Sequence, residues 1–216
     1  RPREGPACAR ARLARRSRFS WRLKQARRPD FDDLRNWLFH KGSLTARLQA
    51  KGQFRLRLLT QRLEAPTPDG AAELAIGLKR LARTREVVLH LDGVPVVFAH
   101  TVLPTDPAGP VTRWLARLGG RSLGSMLFSH PGFKRGPIAC KRLDKRHPLH
   151  QRAIDALQPG GNADLWARRS AFHFGAQTIL VTEVFLPTIG QPGRPVTKSP
   201  QNDPMQQADV CYTPAP

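Results

Sequence analysis

Polar and apolar positions alternate over several stretches of this chain, and each alternation predicts a β-strand. Across residues 53–61, Phe54, Leu56 and Leu58 fall on one side and Arg55 and Arg57 on the other. That is the pattern of a strand with one solvated face in an antiparallel sheet. Residues 85–91 and 94–102 form two apolar runs around Asp92-Gly93, the strongest short-range hairpin signal available. A last hairpin is predicted from residues 171–174 and 178–186 across Gly175-Ala176, with Pro187 stopping the run. Two charges break these patterns. Arg85 alternates with Val87, Leu89 and Leu91, and a guanidinium on an apolar face needs an anion. Glu183 shares a face with Ile179, Val181 and Phe185. A carboxylate there either pairs with an arginine or has its pKa raised by desolvation.

Helical spacing occurs in two blocks. The first runs from Asp30, with Asp32 and Asp33 in the first turn and a stripe of Leu34, Trp37 and Leu38; acidic residues suit a helix start. It ends near Lys41-Gly42, and Ser43 then caps a second helix over residues 44–50 that Gly52 closes. The second block has the same design. Pro110 opens a helix over 111–118, Gly119-Gly120 ends it, and Ser122 caps residues 123–128. A short helical segment is expected over 71–81, after a loop at 66–70. Residues 129–161 read as mostly loop, with a short helix near 151–157. Strands that arrive as hairpins, with helices in blocks, indicate an α+β fold with an antiparallel β-sheet, interrupted by two helical hairpins. The starts of the helices at Leu44 and Leu123 carry amide groups without intrahelical partners, which are suited to a carboxylate.

Charge adds a second theme. The chain of 216 residues holds 36 Lys+Arg against 16 Asp+Glu, a formal charge of +20. Residues 1–28 contain 10 Arg and Lys24 against Glu4 alone, so they read as a basic, solvated, disordered arm. A basic excess on this scale points to an anionic partner: nucleic acid, an acidic membrane surface or an anionic substrate. The aromatic residues sit at core-like spacing and are not interleaved with the basic ones, which counts against nucleic acid. No apolar run approaches the roughly 20 residues of a membrane helix. Cys8, Cys140 and Cys211 are far apart and form no CxxC pair; this argues against a disulfide framework and fits a reducing cytoplasm. His147 and His150 flank a proline, with no carboxylate nearby in sequence, a poor metal pair.

The wording of five segments is more specific. WLFHKGSLTARL, REVVLHLDGVPVVFAHTVLP, LGGRSLGSMLFS, LWARRS and LVTEVFLP occur in that order between residues 37 and 187. They resemble segments of the chorismate pyruvate-lyase family, whose members make 4-hydroxybenzoate for ubiquinone. The resemblance implies a chorismate lyase-like domain over residues 29–188, in which helical-hairpin flaps cover a buried ligand site. The basic arm and a Pro-rich, disordered tail over 189–216 lie outside it. It implies that chorismate gives 4-hydroxybenzoate and pyruvate with neither metal nor redox cofactor, in a cytoplasmic monomer. By the resemblance, Arg85 holds the substrate carboxylate, Leu44 and Leu123 bind through their backbones, and Glu183 meets the ring hydroxyl. Family members often carry Met at the Leu44 position, a change that a backbone contact tolerates. Residues 129–162 look longer than in the family. Proton removal by a general base and a cyclic rearrangement within the substrate both fit. The competing readings are an effector-binding module of a transcription regulator, for which residues 1–28 are too short to be a DNA-binding domain, and a basic nucleic-acid-binding protein.

Overall fold

A computed structural model describes Trp21, residues 29–157, residues 164–186 and Ile189. The elements, in chain order, are α1 (Pro29–Leu38), α2 (Leu44–Gln49), β1 (Phe54–Glu64), α3 (Pro68–Glu73), β2 (Ala82–Leu91), β3 (Val94–Pro104), α4 (Pro110–Ala116), α5 (Leu123–Ser129), β4 (Lys134–Arg135), β5 (Ala139–Leu143), α6 (Pro148–Leu157), β6 (Leu165–Phe174) and β7 (Gln177–Phe185). The strands form one antiparallel sheet in the order β1-β2-β3-β7-β6-β4, with β5 also pairing β6. The fold is α+β, and the two helical hairpins α1–α2 and α4–α5 lie on one face of the sheet.

Both faces of the sheet centre are covered, which is why β2, β3 and β7 read as nearly continuous apolar runs. On the front, Leu34, Trp37, Leu38, Leu44 and Leu48 pack on Val87, Leu89, Val97 and Phe185. Beside them Val111, Leu115, Leu123 and Leu127 pack on Leu103, Phe172 and Ile179. On the back, Leu149, Ala153 and Leu157 of α6 meet Val88, Phe98, Ala167 and Val184. The hairpin at Asp92-Gly93 turns with positive φ at both residues, 52° and 81°, as its sequence requires.

The structure departs from the sequence reading at several points. Leu58 keeps the parity of Phe54 and Leu56, opposite Val87, but it is not covered. The β1–β2 register shifts between Leu58 and Thr60, and Leu58 and Leu59 are both exposed. This bulge reverses the side on which later residues of β1 point. The helix expected at 71–81 starts earlier, with Thr67 as its cap and Pro68 in the first turn, and ends at Leu74; Ala75 has φ 53°. Within the stretch read as loop, Lys134–Arg135 and Ala139–Leu143 pair with β6, and the helix there begins at Pro148. Ser43 caps α2 as expected, its Oγ accepting from Ala46 N at 3.3 Å, but the Ser122 side chain makes no cap bond to α5.

Trp21 belongs to the arm expected to be disordered, yet it is docked on the back of the sheet. Its indole N–H donates to Asp69 Oδ2 at 2.7 Å, and the Arg169 guanidinium stacks 4.5 Å from the ring centroid. His147 and Arg169 also reach Asp69 Oδ2, at 3.2 and 3.3 Å. Leu149 N donates to His147 Nδ1, so His147 Nε2 carries the proton that it gives to Asp69. A buried carboxylate with three donors accounts for this anchor. The remaining residues of the arm, residues 158–163 and the tail beyond residue 189 lie outside the described residues.

Candidate active site

Four charged side chains, Arg85, Arg135, Arg168 and Glu183, line a cavity between the front of the sheet and the helical hairpins. The remainder of the wall is apolar or hydroxyl-bearing, including Leu44, Leu123, Phe172 and Ser170. The free volume of the cavity is small, about 50 Å³, below that of a typical small-molecule site, so a ligand is admitted only when the hairpins or side chains give way.

Strand register sets where the charges stand. In one row across the sheet, Arg85 on β2 pairs with Thr101 on β3, Thr101 with Val181 on β7, and Val181 with Ser170 on β6. Two residues further along β7, Glu183 pairs with Ala99 on β3 and with Arg168 on β6. With strands about 4.8 Å apart and a rise of about 3.4 Å per residue, the Arg85 and Glu183 backbones are about 12 Å apart.

Arg85 is 2% exposed. Its Nη1 donates to Gln61 Oε1 at 2.8 Å and its Nη2 to the Arg121 carbonyl at 3.1 Å. Gln61 faces Arg85 because the β1 bulge reverses the strand's parity just before it. Among the described residues no carboxylate pairs with Arg85, and burial lowers its pKa below the ordinary arginine value. This is an anchored cation with its charge unbalanced.

Of the two environments open to Glu183 from its strand pattern, the structure has the arginine partner. Arg168, its partner on β6, donates from Nε to Glu183 Oε2 at 2.5 Å. The Arg168 Nη1 donates to the Trp37 and His40 carbonyls, each at 2.9 Å. Those carbonyls close the C-terminal end of α1, where a cation is favoured. Arg135 lies beside this pair. Its Nε donates to Ser170 Oγ at 3.1 Å and its Nη1 to the Lys41 carbonyl at 2.8 Å. Burial and the neighbouring Arg168 push the Arg135 pKa down to about 10, against the pull of Glu183. The two arginines thus hold the turn of the first hairpin by its carbonyls.

The two hairpins touch through a hydroxyl pair, Thr45 Oγ1 and Ser122 Oγ, 2.7 Å apart. Both residues line the cavity, and both also line an outer groove with Trp114, Arg117, Arg121 and His130. A Cβ on Gly124 would lie 3.2 Å from Thr45 Oγ1, so the glycine allows this close approach.

The structure therefore brings Leu44, Arg85, Leu123 and Glu183 into one cavity. Sequence reasoning missed Arg135, Arg168 and the Thr45–Ser122 contact. The first sits in FKRGP, on a two-residue strand with no period to read, and the second in LWARRS, where the adjacent Arg169 removes the parity signal.

Comparison with known proteins places this geometry. The family model described as chorismate lyase matches residues 28–191. The chain belongs to the chorismate lyase family. A probable chorismate pyruvate-lyase from Dechloromonas aromatica (strain RCB) is 51% identical over 173 residues, covering 80% of this chain and 97% of the relative. Another from Aromatoleum aromaticum (strain DSM 19018 / LMG 30748 / EbN1) is 46% identical, covering 72% of this chain and 85% of the relative. Among solved structures, a GntR-family transcriptional regulator from Bacillus cereus is similar at 13% identity, with a TM-score of 0.49 over 68% of this chain and 100% of that one. In this chorismate lyase family member, no helix among the described residues is long and apolar enough to cross a membrane.

Proposed function

We propose that this protein is a chorismate pyruvate-lyase that converts chorismate to 4-hydroxybenzoate and pyruvate in ubiquinone biosynthesis. The observation that carries the reading is Arg85: a buried guanidinium, fixed by two hydrogen bonds and without a counter-ion among the described residues, across a cavity from a carboxylate. Arg85 takes the ring carboxylate, helped by the N–H groups of Leu44 and Leu123 at the starts of α2 and α5. Glu183 accepts the 4-hydroxyl at Oε1, since Oε2 is held by Arg168. A six-membered ring substituted at opposite ends spans the two once both side chains extend inward.

The reaction needs little beyond positioning. The C4–H bond and the C3–O ether bond break, a C–H bond forms at the enolpyruvyl methylene, and the enol ether oxygen becomes the carbonyl of pyruvate. The ring gains its third double bond, and aromatisation drives the step. We favour this cyclic transfer because the one carboxylate that lines the cavity is already ion-paired.

The test is conversion of chorismate carrying deuterium at C4 by the purified protein. The expected products are 4-hydroxybenzoate and pyruvate with deuterium in its methyl group. Loss of the label to solvent would make the step a base-catalysed elimination, with Glu183 as the candidate base. No 4-hydroxybenzoate would remove the lyase reading.

A further inference from the structure

The cavity carries more positive charge than the roles above use. Three guanidinium groups and one carboxylate line it, an excess of two positive charges in a largely apolar wall. An uncompensated buried charge is costly. Arg168 is balanced by Glu183, which leaves Arg85 and Arg135. The proposed substrate is a dianion, with one carboxylate on the ring and one on the enolpyruvyl side chain. Two unbalanced arginines match two carboxylates.

We infer that Arg135 forms a second carboxylate subsite, which binds the enolpyruvyl carboxylate of the substrate and then the pyruvate that leaves. The inference rests on the lyase reading given above. Its geometry is independent of Arg85. Arg135 extends from β4 over the rings of Phe128 and Phe172, 5.5 and 5.3 Å from their centroids, and both rings line the cavity. Its Nε is tied to Ser170 Oγ, and its Nη1 to the Lys41 carbonyl and, at 3.5 Å, to the His40 carbonyl. Among the described residues, Nη2 donates no hydrogen bond and no carboxylate pairs directly with the group. The fork is held in place with one arm unused, the preorganisation that favours arginine for carboxylates.

The position also fits. Ser170, which holds Arg135, ends the cross-strand row that begins at Arg85, three strands and about 14 Å away. Arg135 is close enough to Glu183 and Arg168 to feel both charges. In the substrate the enolpyruvyl ether is on C3, next to the C4 hydroxyl assigned to Glu183. The second carboxylate therefore falls on the Glu183 side of the cavity, where Arg135 stands, and not on the Arg85 side. Holding that carboxylate also limits rotation about the ether bond, which brings the methylene towards the C4 hydrogen.

This assignment separates substrate from product. 4-Hydroxybenzoate lacks the second carboxylate, so its binding should ignore Arg135. The experiment compares chorismate kinetics and calorimetric binding of 4-hydroxybenzoate for the wild type, Arg135→Gln and Arg135→Lys. In Arg135→Gln, kcat/KM for chorismate should fall by about 30-fold or more, while the Kd of 4-hydroxybenzoate stays within about threefold on the scale of a single weak contact. Arg135→Lys should recover part of the loss, because it keeps the charge without the fork. Unchanged chorismate kinetics, or equal losses for substrate and product, would overturn the subsite. A third measurement uses the wild type alone: pyruvate should compete with chorismate and methyl pyruvate should not. Equal inhibition by the two, or none by pyruvate, would also overturn it. If the wild type does not turn over chorismate, the lyase reading itself fails, and that outcome is distinct from each of these.

Discussion

Arg85→Met should cost far more in turnover than in stability. Arg85 is 2% exposed and has no carboxylate partner, so its charge costs stability in the unliganded protein. Methionine has a similar length and no charge. The substitution removes two hydrogen bonds, to Gln61 and to the Arg121 carbonyl, worth roughly 1.5–3 kcal/mol each for a charged donor. Against this, replacing a buried charge by an apolar side chain commonly returns about 1–4 kcal/mol. Gln61 is exposed and finds water instead. The two ranges overlap, and their midpoints leave a net loss of about 2 kcal/mol. The loss in catalysis has no such offset. Removing a buried charge-assisted contact costs about 2–5 kcal/mol, a fall in kcat/KM of roughly 30- to 5,000-fold. The assay pairs thermal unfolding with continuous detection of 4-hydroxybenzoate. Saturating 4-hydroxybenzoate should raise the Tm of the wild type and leave that of the variant nearly unchanged, because only the native site binds it. A variant that unfolds many degrees lower yet keeps most of its activity would refute the reasoning: Arg85 would then be a structural strut.

Two further outcomes follow from contacts at the edge of the site. Ser122→Ala removes the side-chain hydrogen bond that joins the hairpins at Thr45; if lid opening limits product release, rapid mixing should show a burst of 4-hydroxybenzoate in the wild type and a steady rate about 2- to 10-fold higher in the variant, on the scale of one neutral hydrogen bond. A linear wild-type time course would mean that chemistry is slow and the hairpins do not gate release. Deleting residues 1–28 removes Trp21 and leaves Asp69 one donor short, so that form should melt about 2–8 °C below one lacking residues 1–20 only; both should turn over chorismate when folded, and equal melting temperatures would show that the Trp21 contact adds nothing.

The sheet and the two helical hairpins were legible because alternation and capping residues agree over long stretches. Arg85 and Glu183 were legible for one reason: each is a charge at an apolar position of a strand. The same logic failed for Arg168 and Arg169. They are adjacent, they point to opposite faces, and both are buried, so the parity of β6 does not say which arginine belongs to the cavity. Arg135 was hidden by Gly and Pro on either side, since a two-residue strand has no period to read. Which arginine pairs with Glu183 was hidden for a related cause. Its counter-ion comes from the neighbouring strand, and cross-strand register is not written in either strand alone. Ser122 shows the limit of capping rules: its place in the chain is that of a cap, while its hydroxyl is spent on Thr45, 77 residues away.

The register shift in β1 has a further consequence, for how this protein behaves among copies of itself. β1 is the outermost strand of the sheet, and it carries three exposed leucines, Leu58, Leu59 and Leu63. A flat, apolar edge of eleven residues invites another chain to add a strand. The shift at Leu59 breaks that template into two short segments with different twist. Arg55 and Arg57, both exposed, place like charges where a second copy would have to lie. The irregularity that turns Gln61 towards Arg85 therefore also keeps the sheet from growing, so correcting β1 to an ideal strand would favour aggregation as well as misplacing Gln61.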